Sequence, residues 1–223
     1  MQIKKWLLIL VAAIFCFSTY LQAQAPPFYN EIQAFKKQDS LHFPPANAIL
    51  FVGSSSFRMW KDVQQAFPGA TIINRGFGGS QTLDVIRYAD DIIFPYHPKQ
   101  IVFYIGENDI AASADITTDI VVERIRALIN LVRTKLPGVP IVYVSIKPSI
   151  SRQALMPKMV AANEKIKKFI RSKKNAEFVN IYDDMLNSNG QPRADIFLED
   201  NLHMNAKGYA IWQKEIGPFL KSK

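Results

Sequence analysis

Short apolar runs alternate with longer segments of helical period along most of this chain, and this alternation constrains the fold more than any other feature. The runs, each rich in Val, Ile, Phe or Tyr as buried strands are, lie at 48–53, 71–75, 101–106, 141–145 and 177–181. A short amphipathic segment at 28–37 precedes them, and the later segments predict helices at 56–67, 82–92, 117–135, 157–173 and 205–220. Alternating strands and helices indicate right-handed crossovers and a parallel sheet covered on both faces. We therefore predict an α/β fold, a three-layer α/β/α sandwich with a five-stranded parallel sheet.

Residues 1–25 are set apart from this pattern by the layout of a secretory signal peptide. Two lysines precede twelve apolar residues at 6–17, and the polar stretch that follows ends in Ala-Gln-Ala. A membrane-spanning helix needs about 20 apolar residues, so an uncleaved anchor is the weaker interpretation. We expect cleavage after Ala23 or Ala25, export of the protein, and no stable membrane insertion of the mature chain.

The mature chain, 26–223, is expected to form one domain without cysteine. Its length fits a single domain with a sizeable core. Cys16 is the only cysteine in the sequence and would leave with the signal peptide, so disulfides, thiolate metal sites and cysteine nucleophiles are excluded. A lipoprotein would use Cys16 as its lipid carrier, but Phe15 stands where a small residue is needed.

The chain is basic, with 27 Lys plus Arg residues against 19 Asp plus Glu and a formal net charge of +8. The densest basic group, at 165–174, fits the solvated face and C-terminal end of a helix. Only Phe169 is interleaved with it, whereas a nucleic-acid surface needs stacking aromatic residues among its cations. We therefore expect no nucleic-acid partner.

Ligands bind at the carboxyl ends of the strands in an open parallel sheet, so the residues after the apolar runs are the candidates for chemistry. Four segments stand out: Gly-Ser-Ser-Ser at 53–56, Asn-Arg-Gly-Phe-Gly-Gly-Ser at 74–80, Gly-Glu-Asn-Asp at 106–109, and Asp-Asn-Leu-His at 200–203. Each is ambiguous alone. The serine tract also fits a turn with a helix N-cap, and the second segment lacks the glycine register of a phosphate-binding loop.

A serine hydroxyl needs a base before it becomes a good nucleophile, and histidine is the natural base here. His42 and His97 lie in proline-containing connectors, which favours surface or capping roles. His203 lies three residues after Asp200, a spacing that lets the carboxylate fix the ring tautomer and leave the other nitrogen free. Asp-x-x-His is a weak signal by itself, because such pairs arise often by chance.

Taken together and in order, the four segments resemble the four sequence blocks of the SGNH hydrolase superfamily, which includes the GDSL-type esterases and lipases. Those blocks are Gly-Asp-Ser, a Gly, Gly-x-Asn-Asp and Asp-x-x-His, and here they correspond to 53–55, Gly79, 106–109 and 200–203. The resemblance covers essentially the whole mature chain. It implies a flavodoxin-like SGNH fold and an enzyme that needs no metal or cofactor.

The same resemblance implies a role for each matching residue. Ser55 corresponds to the nucleophile, His203 to the base and Asp200 to the residue that orients the base. The oxyanion hole would consist of the backbone N–H groups of Ser55 and Gly79 and the side-chain amide of Asn108. Such preorganised donors stabilise the charge of a tetrahedral intermediate.

One position departs from the family pattern, because Ser54 stands where the family has Asp. Ser55 is therefore chosen among three consecutive serines by the block register alone, and Gly78 is the alternative to Gly79 for the same reason. Surface or packing roles are the alternative for the candidate substrate-binding residues, which follow three of the strands: Arg58, Arg75 and Lys147.

The implied activity is ester hydrolysis on a small-molecule or carbohydrate ester. Export and the lack of a long apolar lid favour a short acyl group, acetyl on a carbohydrate. A lysophospholipase or thioesterase of the same family is one alternative. A noncatalytic carbohydrate-binding protein that retains the fold is another, suggested by Ser54. The sequence makes no prediction of the oligomeric state.

Overall fold

All five strands of the sheet run parallel, as the alternation of apolar runs and helical segments predicts. The computed structural model describes residues 25–221. Its strands are β1 Ile49–Gly53, β2 Ile72–Gly76, β3 Gln100–Tyr104, β4 Ile141–Val144 and β5 Ala176–Val179. The order across the sheet is β2-β1-β3-β4-β5, so the winding reverses between β1 and β3. Ligand sites of open α/β sheets lie at this kind of reversal.

Helices cover both faces of the sheet, which confirms the predicted three-layer sandwich. Within the described residues the α-helices are α1 Tyr29–Leu41, α2 Ser55–Arg58, α3 Val63–Ala66, α4 Thr82–Arg87, α5 Ala89–Ile92, α6 Glu107–Ala112, α7 Thr118–Lys135, α8 Met156–Arg171 and α9 Ala206–Ile216. Successive side chains of a strand point to opposite faces, so Leu50 and Val52 of β1 enter one apolar core while Ile49 and Phe51 enter the other. The first core packs against α1, α4, α5, α7 and α8, and the second against α2, α3 and α9.

The longer helices form close to their predicted positions because the sequence marks where they begin. Thr117 caps α7, and its side chain accepts a hydrogen bond from the Ile120 N–H at 3.3 Å. Asn205 caps α9 in the same way, with the Lys207 N–H at 2.9 Å. The prediction for α9 runs too far, because the helix ends at Ile216 and a 3₁₀ turn follows at Gly217–Phe219.

Two helix predictions are wrong in their continuity. The segment at 56–67 forms two short helices, α2 and α3, and the segment at 82–92 forms α4 and α5. Buried residues recur at helical spacing across the break between α2 and α3, at Phe57, Trp60 and Val63. The same spacing would arise if one unbroken helix spanned the segment. Periodicity therefore does not separate one helix from two. It also misses α6, a six-residue helix that follows β3 almost directly.

The expected signal peptide, at 1–25, lies outside the described residues except for Ala25, so it stays a prediction together with the domain boundary that follows it. Of the helices that the structure describes, none combines the length and the apolar character needed to cross a membrane.

Gly53 ends β1 at a point where a larger residue does not fit. A β-carbon there would lie 1.9 Å from the carbonyl oxygen of Tyr104 on β3. The Gly53 carbonyl also accepts a hydrogen bond from the Phe77 N–H, just beyond β2, at 3.0 Å. The chain leaving β1 is thus held tightly between its two neighbouring strands.

We expect Gly53→Ala to lower the free energy of unfolding by about 3 kcal/mol or more, because β1 or β3 must shift to admit the methyl group. Gly69→Ala is the matched control, since a β-carbon at Gly69 meets nothing within 4 Å. The control should change stability by less than about 0.5 kcal/mol. Urea denaturation of both variants beside the wild type makes the comparison, and equal stabilities would contradict the close approach at Gly53.

Candidate active site

The serine tract after β1 presents one of its three side chains to the surface. Ser54 and Ser56 are buried, with 3% and 2% of their surface exposed, while Ser55 is partly exposed at the start of α2. Gly53 ends the strand, and the N–H of the next residue, Ser54, donates to the Tyr104 carbonyl at 3.2 Å. Ser55 is therefore the one serine of the tract with an accessible side chain. The sequence had separated it from its neighbours only by the position of Ser in the family's Gly-Asp-Ser block.

His203 and Asp200 lie against Ser55 in one continuous chain of contacts. The Nε2 atom of His203 is 2.9 Å from the Ser55 hydroxyl, although the two residues are 148 positions apart. The Nδ1 atom of the same ring is 2.5 Å from the Asp200 carboxylate. With a proton on Nδ1, Nε2 is free to accept the hydrogen of the Ser55 hydroxyl.

Asp200 is held ionised by the turn that carries it. Partial burial opposes its ionisation, but the His203 ring and the backbone N–H groups of His203 and Leu202 donate to it and together lower its pKa to about 2. The two backbone bonds, at 2.9 and 3.0 Å, also fix the carboxylate relative to the ring. A permanent negative charge at this position fixes the tautomer and stabilises the imidazolium that forms when the ring takes a proton.

Asn108 lies at the start of α6 with its side-chain amide bound at both ends. Its Nδ2 atom donates to the Ser80 carbonyl at 3.0 Å, and its Oδ1 atom accepts from Arg152 at 3.0 Å. The neighbouring Asp109 is fully buried and accepts from the backbone N–H and the hydroxyl of Thr82, at 2.9 and 3.0 Å. These contacts join α6 to the glycine-containing loop between β2 and α4.

The two candidate glycines of that loop differ in what surrounds them. Gly79 has a φ of +77° and open space around the position of a β-carbon. Its backbone N–H and that of Ser55 make no hydrogen bond to any part of the chain that the structure describes. The Gly78 N–H, by contrast, faces the Glu31 carboxylate at 3.4 Å. The geometry thus favours Gly79 over Gly78 as a donor to a ligand.

A buried ionic cluster lies beneath Asn108 and the His203 loop. The Glu107 carboxylate contacts Lys147 at 3.1 Å and Arg152 at 3.0 Å, and it also accepts a hydrogen bond from the Tyr104 hydroxyl. The Lys147 ammonium donates in addition to the Leu202 carbonyl at 2.8 Å, directly beside His203. We call these four side chains, Tyr104, Glu107, Lys147 and Arg152, the Glu107 cluster.

The charges of the Glu107 cluster follow from the balance of burial and pairing. Burial raises the pKa of Glu107, but the attraction of Lys147 and Arg152 outweighs it and the net direction is downward, so the carboxylate is ionised. Burial lowers the pKa of Lys147 against the opposing pull of Glu107. Burial and the adjacent carboxylate raise the pKa of Tyr104, which therefore remains a hydrogen-bond donor.

Two of the three candidate substrate-binding cations do not fit that role. Lys147 is fully buried and directs its ammonium to Glu107 and Leu202. Arg75 is buried as well: it pairs with Asp39, donates from Nε to the Tyr96 hydroxyl at 2.7 Å, and fastens α1 to the sheet. Both expectations are corrected, because a basic residue within or just after a strand can be neutralised by a partner distant in sequence.

Arg58 is the one of the three that remains exposed. Its guanidinium pairs with Glu31 of α1 at 3.2 Å, and it lies against Gly78 of the glycine loop.

His42 and His97 are exposed in connectors, as expected from their sequence context. Sequence reasoning missed Arg152, whose only signal is that it follows the fourth strand, and it missed the proximity of Glu31.

This arrangement has the parts required for attack on a carbonyl carbon. A hydroxyl hydrogen-bonded to an imidazole, which is oriented by a carboxylate, gives up its proton as it attacks. Unoccupied backbone N–H groups and a fixed side-chain amide are the kind of donors that stabilise developing negative charge on oxygen. Within residues 25–221, no three or more His, Cys, Asp or Glu side chains are grouped so that they could hold a metal ion.

The sequence matches one family model, described as the GDSL-like Lipase/Acylhydrolase family, over residues 49–211. No curated protein matches the chain at a significant level. The matched range contains all four candidate segments, from the serine tract to His203.

Several solved structures share the fold. A Streptococcus pneumoniae protein described as a platelet activating factor has a TM-score of 0.75 and 24% identity, over 95% of this chain and 99% of that one. A GDSL-like lipase from Bacteroides thetaiotaomicron has a TM-score of 0.71 and 18% identity, over 84% and 96%. An acetylxylan esterase from Geobacillus stearothermophilus has a TM-score of 0.64 and 14% identity, over 81% and 99%.

Proposed function

The protein belongs to the GDSL-like lipase/acylhydrolase family and is an ester-hydrolysing enzyme, and on that premise we propose that Ser55, His203 and Asp200 are its catalytic triad. The observation that carries the proposal is the continuous chain of contacts from the Ser55 hydroxyl through the His203 ring to the Asp200 carboxylate. Ser54, in place of the family's Asp, does not interrupt that chain, because its own side chain is buried.

The proposed reaction has two halves. Ser55 attacks the ester carbonyl while His203 Nε2 takes the hydroxyl proton, and the tetrahedral intermediate then collapses as His203 passes that proton to the leaving alcohol. A water molecule, deprotonated by the same nitrogen, attacks the acyl-enzyme, and His203 returns that proton to the Ser55 oxygen as the acyl bond breaks and the acid leaves. Asp200 remains ionised throughout, consistent with its lowered pKa, and stabilises the transient imidazolium.

The oxyanion hole would use three donors. We assign the Ser55 and Gly79 backbone N–H groups to it because both lack an acceptor among residues 25–221. The third donor is the Asn108 Nδ2 group, which has two hydrogens and gives only one to Ser80. Each such donor typically contributes about 3 to 4 kcal/mol to transition-state stabilisation.

We expect Ser55→Ala and His203→Ala to abolish hydrolysis of p-nitrophenyl acetate, with kcat at least about 1,000-fold below wild type. Asp200→Asn should lower kcat by about 1,000- to 10,000-fold, because the ring is no longer held in the required tautomer. Ser54→Ala and Ser56→Ala are the matched controls and should retain activity. Steady-state kinetics of the five variants would reject the assignment if a control lost activity and Ser55→Ala did not.

We further propose that the natural substrate carries a short acyl group, acetyl on a carbohydrate. Three polar or charged side chains lie at the proposed site: His203 contacts the Ser55 hydroxyl, Arg58 lies against Gly78, and Arg152 contacts Asn108. Such side chains suit a hydroxylated leaving group better than a lipid chain. One structural neighbour is an acetylxylan esterase, although its 14% identity indicates a shared fold only.

The acyl preference is tested with p-nitrophenyl acetate, butyrate and dodecanoate, followed by an acetylated xylo-oligosaccharide. We expect kcat/KM to fall as the chain lengthens, with acetate the best of the three esters, and acetate to be released from the oligosaccharide by wild type but not by Ser55→Ala. A clear preference for dodecanoate would favour a lysophospholipase or thioesterase. Inactivity on every ester would instead favour the noncatalytic binding protein.

We also propose that the protein is exported and that its N-terminal residues are removed. The proposal rests on the two lysines, the apolar run at 6–17 and the Ala-Gln-Ala motif of the sequence. Expression of the full chain in a bacterial host should place the protein outside the cytoplasm, with a new N-terminus at Gln24 or Pro26. Leu10→Arg, which interrupts the apolar run, is the control and should leave an unprocessed protein in the cytoplasm. Intact wild-type protein that keeps Met1 would contradict the proposal.

A further inference from the structure

We propose that Arg152 is a positioning residue that orients and polarises the Asn108 amide, so that one of its N–H groups faces the oxyanion. This inference rests on the proposed role of Asn108 as an oxyanion donor. It assigns a function to a residue that is outside the triad and outside the three donors, and that none of the four sequence blocks contains.

The first step is the orientation of the amide. A free asparagine side chain can rotate its oxygen and nitrogen into each other's places, and only the nitrogen end can stabilise a negative charge. The Arg152 guanidinium has donors and no acceptor, so its contact at 3.0 Å requires the Asn108 oxygen. The Ser80 carbonyl only accepts, so its contact at 3.0 Å requires the nitrogen. Both neighbours therefore select the same orientation.

The second step is the fixation of Arg152 itself. Its Nη1 atom lies 3.0 Å from Glu107 and its Nη2 atom lies 3.0 Å from Asn108, so the two ends of one planar group bind two successive residues of α6. Only 19% of its side chain is exposed, and the Glu107 carboxylate is further held by Lys147 and Tyr104. A rigid fork with two bound ends holds a neighbouring amide more firmly than a single flexible ammonium does.

The third step is charge. The Asn108 oxygen accepts its hydrogen bond from a charged donor, the Arg152 guanidinium, which shares the Glu107 carboxylate with Lys147. A guanidinium bound to the amide oxygen withdraws electron density and makes the opposite N–H a stronger donor. This effect grows as negative charge develops on the substrate oxygen, so it lowers the barrier more than it strengthens substrate binding.

The kinetic test uses p-nitrophenyl acetate with Arg152→Met, Arg152→Lys, Asn108→Ala and the double variant Asn108→Ala/Arg152→Met. We expect Arg152→Met to lower kcat about 10- to 100-fold with KM within about twofold, and Asn108→Ala to lower kcat about 100- to 1,000-fold. Arg152→Lys keeps the charge but not the fork and should recover part of the loss. Arg126→Met, which removes an exposed arginine paired with Glu123 on α7, is the matched control and should match the wild type.

The double variant decides whether Arg152 acts through Asn108. If it does, the double variant is no slower than Asn108→Ala alone, because the amide it positions is already absent. If the two losses multiply, Arg152 contacts the substrate independently and the proposal is wrong. The proposal is equally wrong if Arg152→Met behaves like the Arg126→Met control. Thermal unfolding of each variant identifies any loss of activity that comes from misfolding. If Arg152→Met is misfolded, the kcat of Arg152→Lys is compared with that of the wild type instead.

A second readout does not depend on activity. In the Ser55→Ala background, the Nδ2 protons of Asn108 can be followed by ¹H–¹⁵N NMR, and we expect them to exchange with water faster in Arg152→Met than with Arg152 present. An unchanged exchange rate would overturn the proposal. If wild type hydrolyses no ester, or if Ser55→Ala retains full activity, the proposed function fails. The NMR comparison still determines whether Arg152 fixes Asn108.

Discussion

The site depends on one buried carboxylate, that of Glu107. Removing an ionised carboxylate from water is costly unless charges and hydrogen bonds replace the lost hydration, and here Lys147, Arg152 and Tyr104 supply them. Meeting that requirement brings the segment after β4 against the start of α6. Lys147 of the same cluster also donates to the Leu202 carbonyl. The contacts that stabilise the buried carboxylate therefore also fix the structure around Asn108 and His203.

The sheet order brings the remaining parts to the same place. β1 and β3 are neighbours although β2 lies between them in sequence, so Ser55 and Asn108, which follow these strands, emerge side by side. His203 comes from a loop ahead of α9 rather than from a strand. That helix packs on the second core, where the ring centroids of Trp212 and Tyr104 are 4.6 Å apart. The Tyr209 hydroxyl of the same helix donates to the Ser56 carbonyl at 2.8 Å. The contact between α9 and α2 thereby places His203 against Ser55.

Much of this architecture could be predicted from the sequence, because the three central strands, β1, β3 and β4, are buried along their whole length and are therefore nearly continuous apolar runs. The residues of the proposed triad could be selected because their segments occur together and in family order. The roles of the cations could not. Lys147 and Arg75 look like free charges in the sequence, yet their partners, Glu107 and Asp39, lie 40 and 36 positions away. Such pairings, like the break between α2 and α3, are decided by three-dimensional packing and leave no periodic trace.

The 148 residues between Ser55 and His203 have a consequence for how the chain acquires its chemistry. Parallel sheets are assembled from contacts between distant segments, and closing such large loops is slow compared with forming a helix or a hairpin. A chain still emerging from the ribosome contains Ser55, the proposed nucleophile, long before it contains His203, the proposed base. With the proposed roles, the Ser55 hydroxyl stays unreactive until the last helix docks, and ester hydrolysis becomes a marker of completed folding.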